Sequence, residues 1–196
     1  MYRDLENHRD SIIKNLVVRS LCGDTTAIDR SAVSIVNGFD HDLLEEPINL
    51  FQVVDADSSQ QDAILCAKRG LSFILQGPPG TGKSQTITNI IVESLAAGKK
   101  VLFVSEKLAA LEVVRRRLES AGLSDVFLSL HSHKANKMDV LDQLRSTLHL
   151  ASKSAALSDD AFQRLQILQS DRDQLNAYAK EIFLPVRPLN KTLYEV

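Results

Sequence analysis

The chain has 196 residues and a formal net charge of −2, from 23 Lys and Arg against 25 Asp and Glu. That size suits one domain, or one domain with an appendage, and the charge balance excludes attachment to nucleic acid or membrane by bulk charge, leaving only local basic patches. A hydrophobic fraction of 44% with 24% charged residues excludes wholesale disorder, and with seven Phe, three Tyr and no Trp the core must be aliphatic.

Two cysteines, Cys22 and Cys66, are too few for a disulfide framework and fit a reducing compartment as ordinary buried or half-buried thiols. No apolar run approaches the ~20 residues needed to span a bilayer. The polar, acid-bearing start MYRDLENHRD does not read as a signal peptide. A cytoplasmic protein is expected, and no internal repeat or low-complexity tract is visible.

In chain order, Leu5, Ile12, Ile13, Leu16 and Val17 predict one amphipathic helix over residues 5–21, stopped by Cys22-Gly23-Asp24. Residues 24–49 carry no clear period. Val53-Val54-Asp55 leads into a helix whose capping box is read as Ser58 with Gln61, with Ala63, Ile64 and Ala67 facing inward and Gly70 at its end. Strands are then predicted at 71–75, 101–104 and 126–130. Between them lie helices at about 83–97, with Ile87, Ile90, Ile91 and Leu95 inward, and 107–120, striped by Leu108, Leu111, Val114 and Leu118. Apolar strands alternating with amphipathic helices predict an α/β fold with a parallel sheet covered on both faces. Beyond residue 137 the alternation stops. A helix at 138–150, with Val140, Leu141, Leu144 and Leu148 inward, a small-residue linker at 151–158 and a long helix at 160–183 with Leu168, Leu175 and Ile182 seven apart predict a helical hairpin outside the sheet.

The chemistry is carried by Gly77-Pro78-Pro79-Gly80-Thr81-Gly82-Lys83-Ser84, which matches the phosphate-binding loop pattern G-x-x-x-x-G-K-[ST] between a predicted strand and a predicted helix. The glycines let backbone N–H groups turn inward around a β-phosphate, and the helix opening at Lys83 adds its positive end. Lys83 is placed to reach the β- and γ-phosphates, and the Ser84 hydroxyl to ligate Mg2+. Upstream, Gln60 stands at a helix start, where its amide could pair with N6 and N7 of adenine.

The segments Ser59-Gln60-Gln61-Asp62-Ala63-Ile64, Leu75 through Ile87, and Val101 through Lys107 occur in that order. Together they resemble the Q motif, motif I and motif Ia of superfamily 1 helicases, closest to the Upf-like branch and its large bacterial helicase-related proteins. The similarity covers about residues 50–150, and the tail from Lys191 to Val196 also looks like that bacterial group. The resemblance implies a partial RecA-like P-loop core at 50–137, preceded by a helical or irregular segment at 1–49 and followed by a helical insertion or stalk at 138–196. It implies that ATP and Mg2+ bind at Gln60, Gly77, Pro78, Pro79, Gly80, Thr81, Gly82, Lys83, Ser84 and Gln85, with Lys83 the catalytic lysine. It also implies that Ser105, Glu106 and Lys107 lie near single-stranded DNA or RNA, with Ser132 and Lys134 as further candidates. The loop, Ser105-Glu106-Lys107 and His131-Ser132-His133-Lys134 each follow a predicted strand, the side of a parallel sheet where ligands gather.

One departure stands out. Hydrolysis in this family needs an acidic pair ending a later strand and arginines from a second motor domain in cis, yet no apolar run after Lys83 ends in Asp-Glu. The chain therefore reads as the first part of a larger motor, weak in turnover by itself. An AAA-type ATPase, which shares Gly77–Lys83 but needs an acidic strand soon after the loop, remains as an alternative. So do a small P-loop kinase and a nucleotide-gated binding module without turnover. His131-x-His133 lacks nearby ligands for a metal, and Arg115-Arg116-Arg117 fans over different helix faces as a solvated, acid-balanced surface.

Overall fold

The computed structural model describes residues 2–27, 42, 45–130, 137–151, 159–185 and 190–192. At the N-terminus the single predicted helix is three short ones: α1 (Tyr2–Asn7), α2 (Arg9–Lys14) and α3 (Leu16–Leu21). Asn15 breaks the run. Its backbone is extended, and its Oδ1 accepts from the N–H groups of Val17 at 3.0 Å and Val18 at 3.2 Å. A short polar side chain that satisfies the backbone locally competes with helix continuation, and apolar spacing does not report it. The expected stripe is not a core face, since Leu5, Ile13, Leu16 and Val17 are exposed, as is Cys22.

The ordered centre consists of α4 (Ser58–Lys68), α5 (Lys83–Ala96) and α6 (Leu108–Ser120), with α5 in the middle, packed against both others. Ile91 and Val92 of α5 meet Val114 and Leu118 of α6 in an aliphatic core, against which Ile87, Leu95, Phe103, Leu123 and Phe127 pack. On the other side Ala63, Ile64, Leu65 and Cys66 of α4 are buried. The capping box of α4 is one residue earlier than its sequence suggested. Asp57 accepts from the Gln60 N–H at 2.8 Å, and Gln60 Oε1 accepts from the Asp57 N–H at 3.2 Å. Asp is as good an N-cap as Ser, so pattern alone could not choose between adjacent candidates.

Among the described residues there is no β-strand, so the structure does not bear out the expected parallel sheet. Residues 71–75, 101–104 and 127–130 run as non-helical connections between the helices. Phe103 and Phe127 touch the core, but Ile74, Leu102 and Val104 are 79%, 86% and 75% exposed. The reason lies in the kind of interaction involved. Apolar, β-branched composition favours extended backbone locally, whereas a parallel ladder requires neighbours about 4.8 Å away that arrive through long crossovers.

Among the described residues the expected helical hairpin is not seen as a packed pair. Helix α7 (Lys137–Ala151) rests on a 3-10 turn at Ser124–Val126, where Thr147 Oγ1 donates to Asp125 O at 2.7 Å. Helix α8 (Asp159–Ile182) rests instead on a 3-10 turn at Pro47–Asn49. There Arg172 Nη1 donates to Glu45 O at 2.9 Å and Asn176 Nδ2 to Asp42 Oδ2 at 2.7 Å. Leu141, Leu144, Leu148, Leu168 and Leu175 are exposed, so polar anchors and not the seven-residue apolar spacing direct α8. The predicted linker, apart from Ala151, and the tail beyond Thr192 lie outside the described residues.

Candidate functional site

The loop from Gly77 to Gly82 leads into α5, with Gly82 as its N-cap. Gly80 and Gly82 have φ of +91° and +73°, the left-handed region that disfavours any residue with a Cβ. At Gly82 space is limiting as well. A Cβ there would run into Gln60 Nε2 and come within 2.8 Å of Gln85 Oε1. At Gly77 it would stand 2.5 Å from Thr81 Oγ1.

The loop is closed by its own polar groups. Thr81 Oγ1 donates to Pro78 O at 2.9 Å, and Lys83 Nζ donates to Gly77 O at 2.5 Å and Pro78 O at 2.7 Å. Gln60, reaching across from α4, donates through Nε2 to Thr81 O at 3.2 Å. An ammonium has three donors and a primary amide has two donors and two acceptor lone pairs. After these bonds Lys83 keeps one donor, and Gln60 keeps one donor and one acceptor. The first N–H groups of α5 have no intrahelical acceptor, and the helix dipole makes that end positive. Such a donor set suits a phosphate anion.

Between Gln60 and the loop lies a cleft of about 520 Å3, within the range of small-molecule sites. It is lined by Gln60, Gly77, Pro78, Gly80, Thr81, Gly82, Lys83 and Gln85 of the predicted set, and also by Asp57, Ser59, Leu75, Gln76 and Thr86. Pro79 and Ser84 do not line it; Ser84 is half-buried in the first turn of α5, where its carbonyl accepts from Thr88 Oγ1 at 2.7 Å. Asp57 is the acidic group of the cleft. The Gln60 backbone N–H and then the Ser59 hydroxyl, both donating to it, hold its carboxyl below the usual carboxylate value of 3.8.

Ser105, Glu106 and Lys107 precede α6 and are absent from the cleft lining. Ser105 Oγ accepts from the Lys107 N–H at 3.3 Å, while Glu106 and Lys107 are exposed. Ser132 and Lys134, with His131 and His133, lie outside the described residues. Arg115 pairs along α6 with Glu112 at 3.0 Å and Glu119 at 3.1 Å, which balances its charge, but Arg115 and Arg117 are half-buried, so of that run only Arg116 is a solvated surface residue. Among the described residues no group of His, Cys, Asp and Glu could hold a metal ion, and no helix is long and apolar enough to cross a membrane.

Sequence reasoning missed the polar side chains that support the cleft from behind. Asn89 and Glu93 of α5 are buried, although apolar spacing assigned the inner face of that helix to isoleucines and leucine. Asn89 Oδ1 accepts from the N–H groups of Val53 at 3.1 Å and Val54 at 3.2 Å, and its Nδ2 donates to Val54 O at 2.8 Å. Glu93 Oε1 accepts from the Phe51 N–H at 2.7 Å, and its Oε2 lies 3.4 Å from Lys68 Nζ. The available signal was their i, i+4 spacing on one face, interrupting an otherwise aliphatic stripe.

Residues 55–185 match the protein family described as an AAA domain. The chain belongs to that family. This AAA domain is 56% identical over 64 residues to an uncharacterised ATP-dependent helicase of Mycoplasma genitalium, a match covering 33% of the chain and 6% of the relative. A homologue of that helicase in Mycoplasma pneumoniae matches to the same extent. The DNA polymerase alpha-associated DNA helicase A of Schizosaccharomyces pombe is 24% identical over 96% of the chain and 26% of its own length. The resemblance to helicases drawn from the ordered motifs is thus borne out, and the AAA domain spans about a quarter or less of the curated relatives it matches. No solved structure matches it.

Proposed function

We propose that this AAA domain binds ATP with Mg2+ and forms the nucleotide-binding part of a cytoplasmic helicase-like motor that couples ATP hydrolysis to single-stranded DNA or RNA. The observation that carries this reading is the loop of Gly77–Gly82 closed around the Lys83 ammonium at the start of α5, with the Gln60 amide against it. In this reading Gly77, Pro78, Pro79, Gly80, Thr81, Gly82 and Gln85 cradle the phosphates. Lys83 gives its remaining donor, and a second one released from a loop carbonyl as the nucleotide enters, to the β- and γ-phosphate oxygens. The remaining donor and acceptor of Gln60 match adenine N7 and N6, whereas guanine presents two acceptors, N7 and O6, and leaves the Gln60 oxygen facing another acceptor. The Ser84 hydroxyl would hold Mg2+, which would neutralise charge on the phosphates.

Ser105, Glu106, Lys107, Ser132 and Lys134 are the candidate contacts to the strand, within a core at 50–137 flanked by segments 1–49 and 138–196. The carboxylate that activates water and the arginines that stabilise the transition state are assigned to a second RecA-like domain and other segments in cis. The chain alone then binds ATP but turns it over very slowly, because an arginine finger by itself contributes about 10³–10⁵ in rate. The absence of an apolar run ending in Asp-Glu after Lys83 equally favours a second reading, a nucleotide-gated binding module without turnover.

Calorimetry with ATP beside a steady-state phosphate assay, with and without single-stranded DNA or RNA, tests both. Saturable ATP binding lost in Lys83→Ala supports the site, and phosphate release stimulated by nucleic acid in the longer protein supports the motor. Vigorous turnover by the 196-residue chain would overturn the assignment of the catalytic groups to other segments.

A further inference from the structure

The residues that recognise the base and those that cradle the phosphates come from two different helices, so something must set their separation. We infer that Asn89 of α5, with Glu93 beside it, is the positioning residue that places Gln60 against the nucleotide, so that base selectivity is set from the back of the phosphate-loop helix. This rests on the adenine reading proposed above for Gln60.

The segment 51–54 enters α4 through Asp57, the N-cap whose box includes Gln60. Nothing in its own backbone pattern holds it, since it is neither helix nor strand. Its polar groups are instead taken up by side chains. Asn89 holds Val53 and Val54 through three hydrogen bonds, satisfying two N–H groups and one carbonyl as a neighbouring strand would. One turn further along α5, Glu93 holds the Phe51 N–H. Gln52 and Gln61 exchange amide hydrogen bonds at 2.5 and 2.8 Å, tying the same segment to α4. Lys68 completes the frame, donating to Asn49 O at 2.6 Å and facing both Glu45 at 2.8 Å and Glu93 at 3.4 Å.

Asn89 is fully buried and Glu93 is 2% exposed, so neither can exchange its partners for water without opening the α4–α5 contact. A buried polar group that loses its partner is far more costly than an exposed one, which makes the register of 51–54 on α5 a single well-defined state. Asp57 lies three residues beyond Val54, and Gln60 three beyond that. The position of the Gln60 amide over Gly82 is therefore fixed relative to Lys83, which starts the helix that carries Asn89. Asn89 touches neither base nor phosphate in this scheme and acts only through the segment it holds.

The test uses the full chain with Asn89→Leu, which keeps the side-chain size but none of its hydrogen bonds, and Asn89→Asp, which keeps the Oδ1 acceptor for Val53 and Val54 and replaces the donor to Val54 O by a second carboxyl oxygen. Two readouts are taken: affinity for ATP, GTP and inorganic tripolyphosphate, and amide hydrogen exchange at Val53, Val54 and Gln60. In wild type, ATP should exceed GTP by roughly 5- to 150-fold, the worth of a bidentate base contact. Asn89→Leu should bring the two nucleotides together while tripolyphosphate binding is retained, and exchange at Gln60 should accelerate. Asn89→Asp should recover only part of the preference, since its second carboxyl oxygen faces Val54 O. Preference and exchange both unchanged in Asn89→Leu would overturn the inference, as would an equal loss for all three ligands, the mark of general damage to α5. If wild type fails to separate ATP from GTP, the adenine reading of Gln60 falls. The exchange data then decide alone whether Asn89 places Gln60, with unaltered protection in both variants overturning it. Should Asn89→Leu fail to fold, Asn89→Ala and Glu93→Met, each of which removes the hydrogen bonds to segment 51–54, carry the same comparison, and unchanged preference and exchange in both would overturn it.

Discussion

Gly82 offers the sharpest check on the geometry of the loop, because its neighbour Gly80 is a built-in control. Both lie at positive φ, +73° and +91°, so alanine at either site must accept a left-handed backbone, at about 1–2 kcal/mol. Around Gly80 a Cβ meets nothing within 4 Å, so that backbone term is the whole cost. Around Gly82 the new methyl group falls on Gln60 Nε2. The amide must swing away, losing its bonds to Thr81 O and to the Asp57 N–H, at about 0.5–1.5 kcal/mol each for partly exposed groups. Gly82→Ala should thus exceed Gly80→Ala by roughly 1–3 kcal/mol in urea unfolding. Removing the obstruction should remove the excess. In a background carrying both Gln60→Ala and Gln85→Ala, which also clears Gln85 Oε1, the two glycine substitutions should cost the same within about 0.5 kcal/mol, the usual limit for additivity. Equal destabilisation by Gly80→Ala and Gly82→Ala in the wild-type background would refute the placement of Gln60 on the loop.

Three other outcomes follow from the same structure. Gln60→Ala should weaken ATP by roughly 5- to 150-fold with little effect on tripolyphosphate, measured by calorimetry; loss of both alike would assign Gln60 to the loop alone. The Asp57 carboxyl should titrate below 3.8 in a side-chain NMR titration. Because its folded value is depressed, the stabilisation from this cap is complete above the unfolded value and fades as the pH falls through the folded one; a folded value at or above 3.8 contradicts the capping geometry. Leu118, 4% exposed between α5 and α6, should lose about 2–5 kcal/mol on substitution to alanine, measured by urea unfolding at constant m-value.

The helices of the centre were legible because their information is local. A strand-like apolar run, a glycine turn and an aliphatic stripe fell within residues 71–97, and α5 begins at Lys83 as the loop pattern required. The stripe on α6 located Val114 and Leu118 correctly, since a helix that must bury one face repeats its apolar residues every three to four positions. The same logic failed at the two ends of the chain. In α1–α3 a single asparagine, satisfied by its own backbone, outweighed the stripe. In α8 the heptad-like leucines stayed exposed, and Arg172 and Asn176 chose the contact.

By itself the sequence determined the chemistry available at residues 77–84, because the loop needs glycines, a lysine and a helix start in strict order, all encoded within eight consecutive positions. The tertiary structure alone decided how that loop is supported. The pairing of extended segments depends on partners far away in the chain, and composition at 71–75, 101–104 and 126–130 could propose a sheet without supplying its neighbours. It was likewise the packing of α4 on α5 that buried Asn89 and Glu93 and turned two polar residues on an aliphatic face into the acceptors of segment 51–54. Periodicity records which face of a helix is turned inward. Which backbone that face will meet, and whether it needs a hydrogen-bonding partner there, is settled only when the two come together.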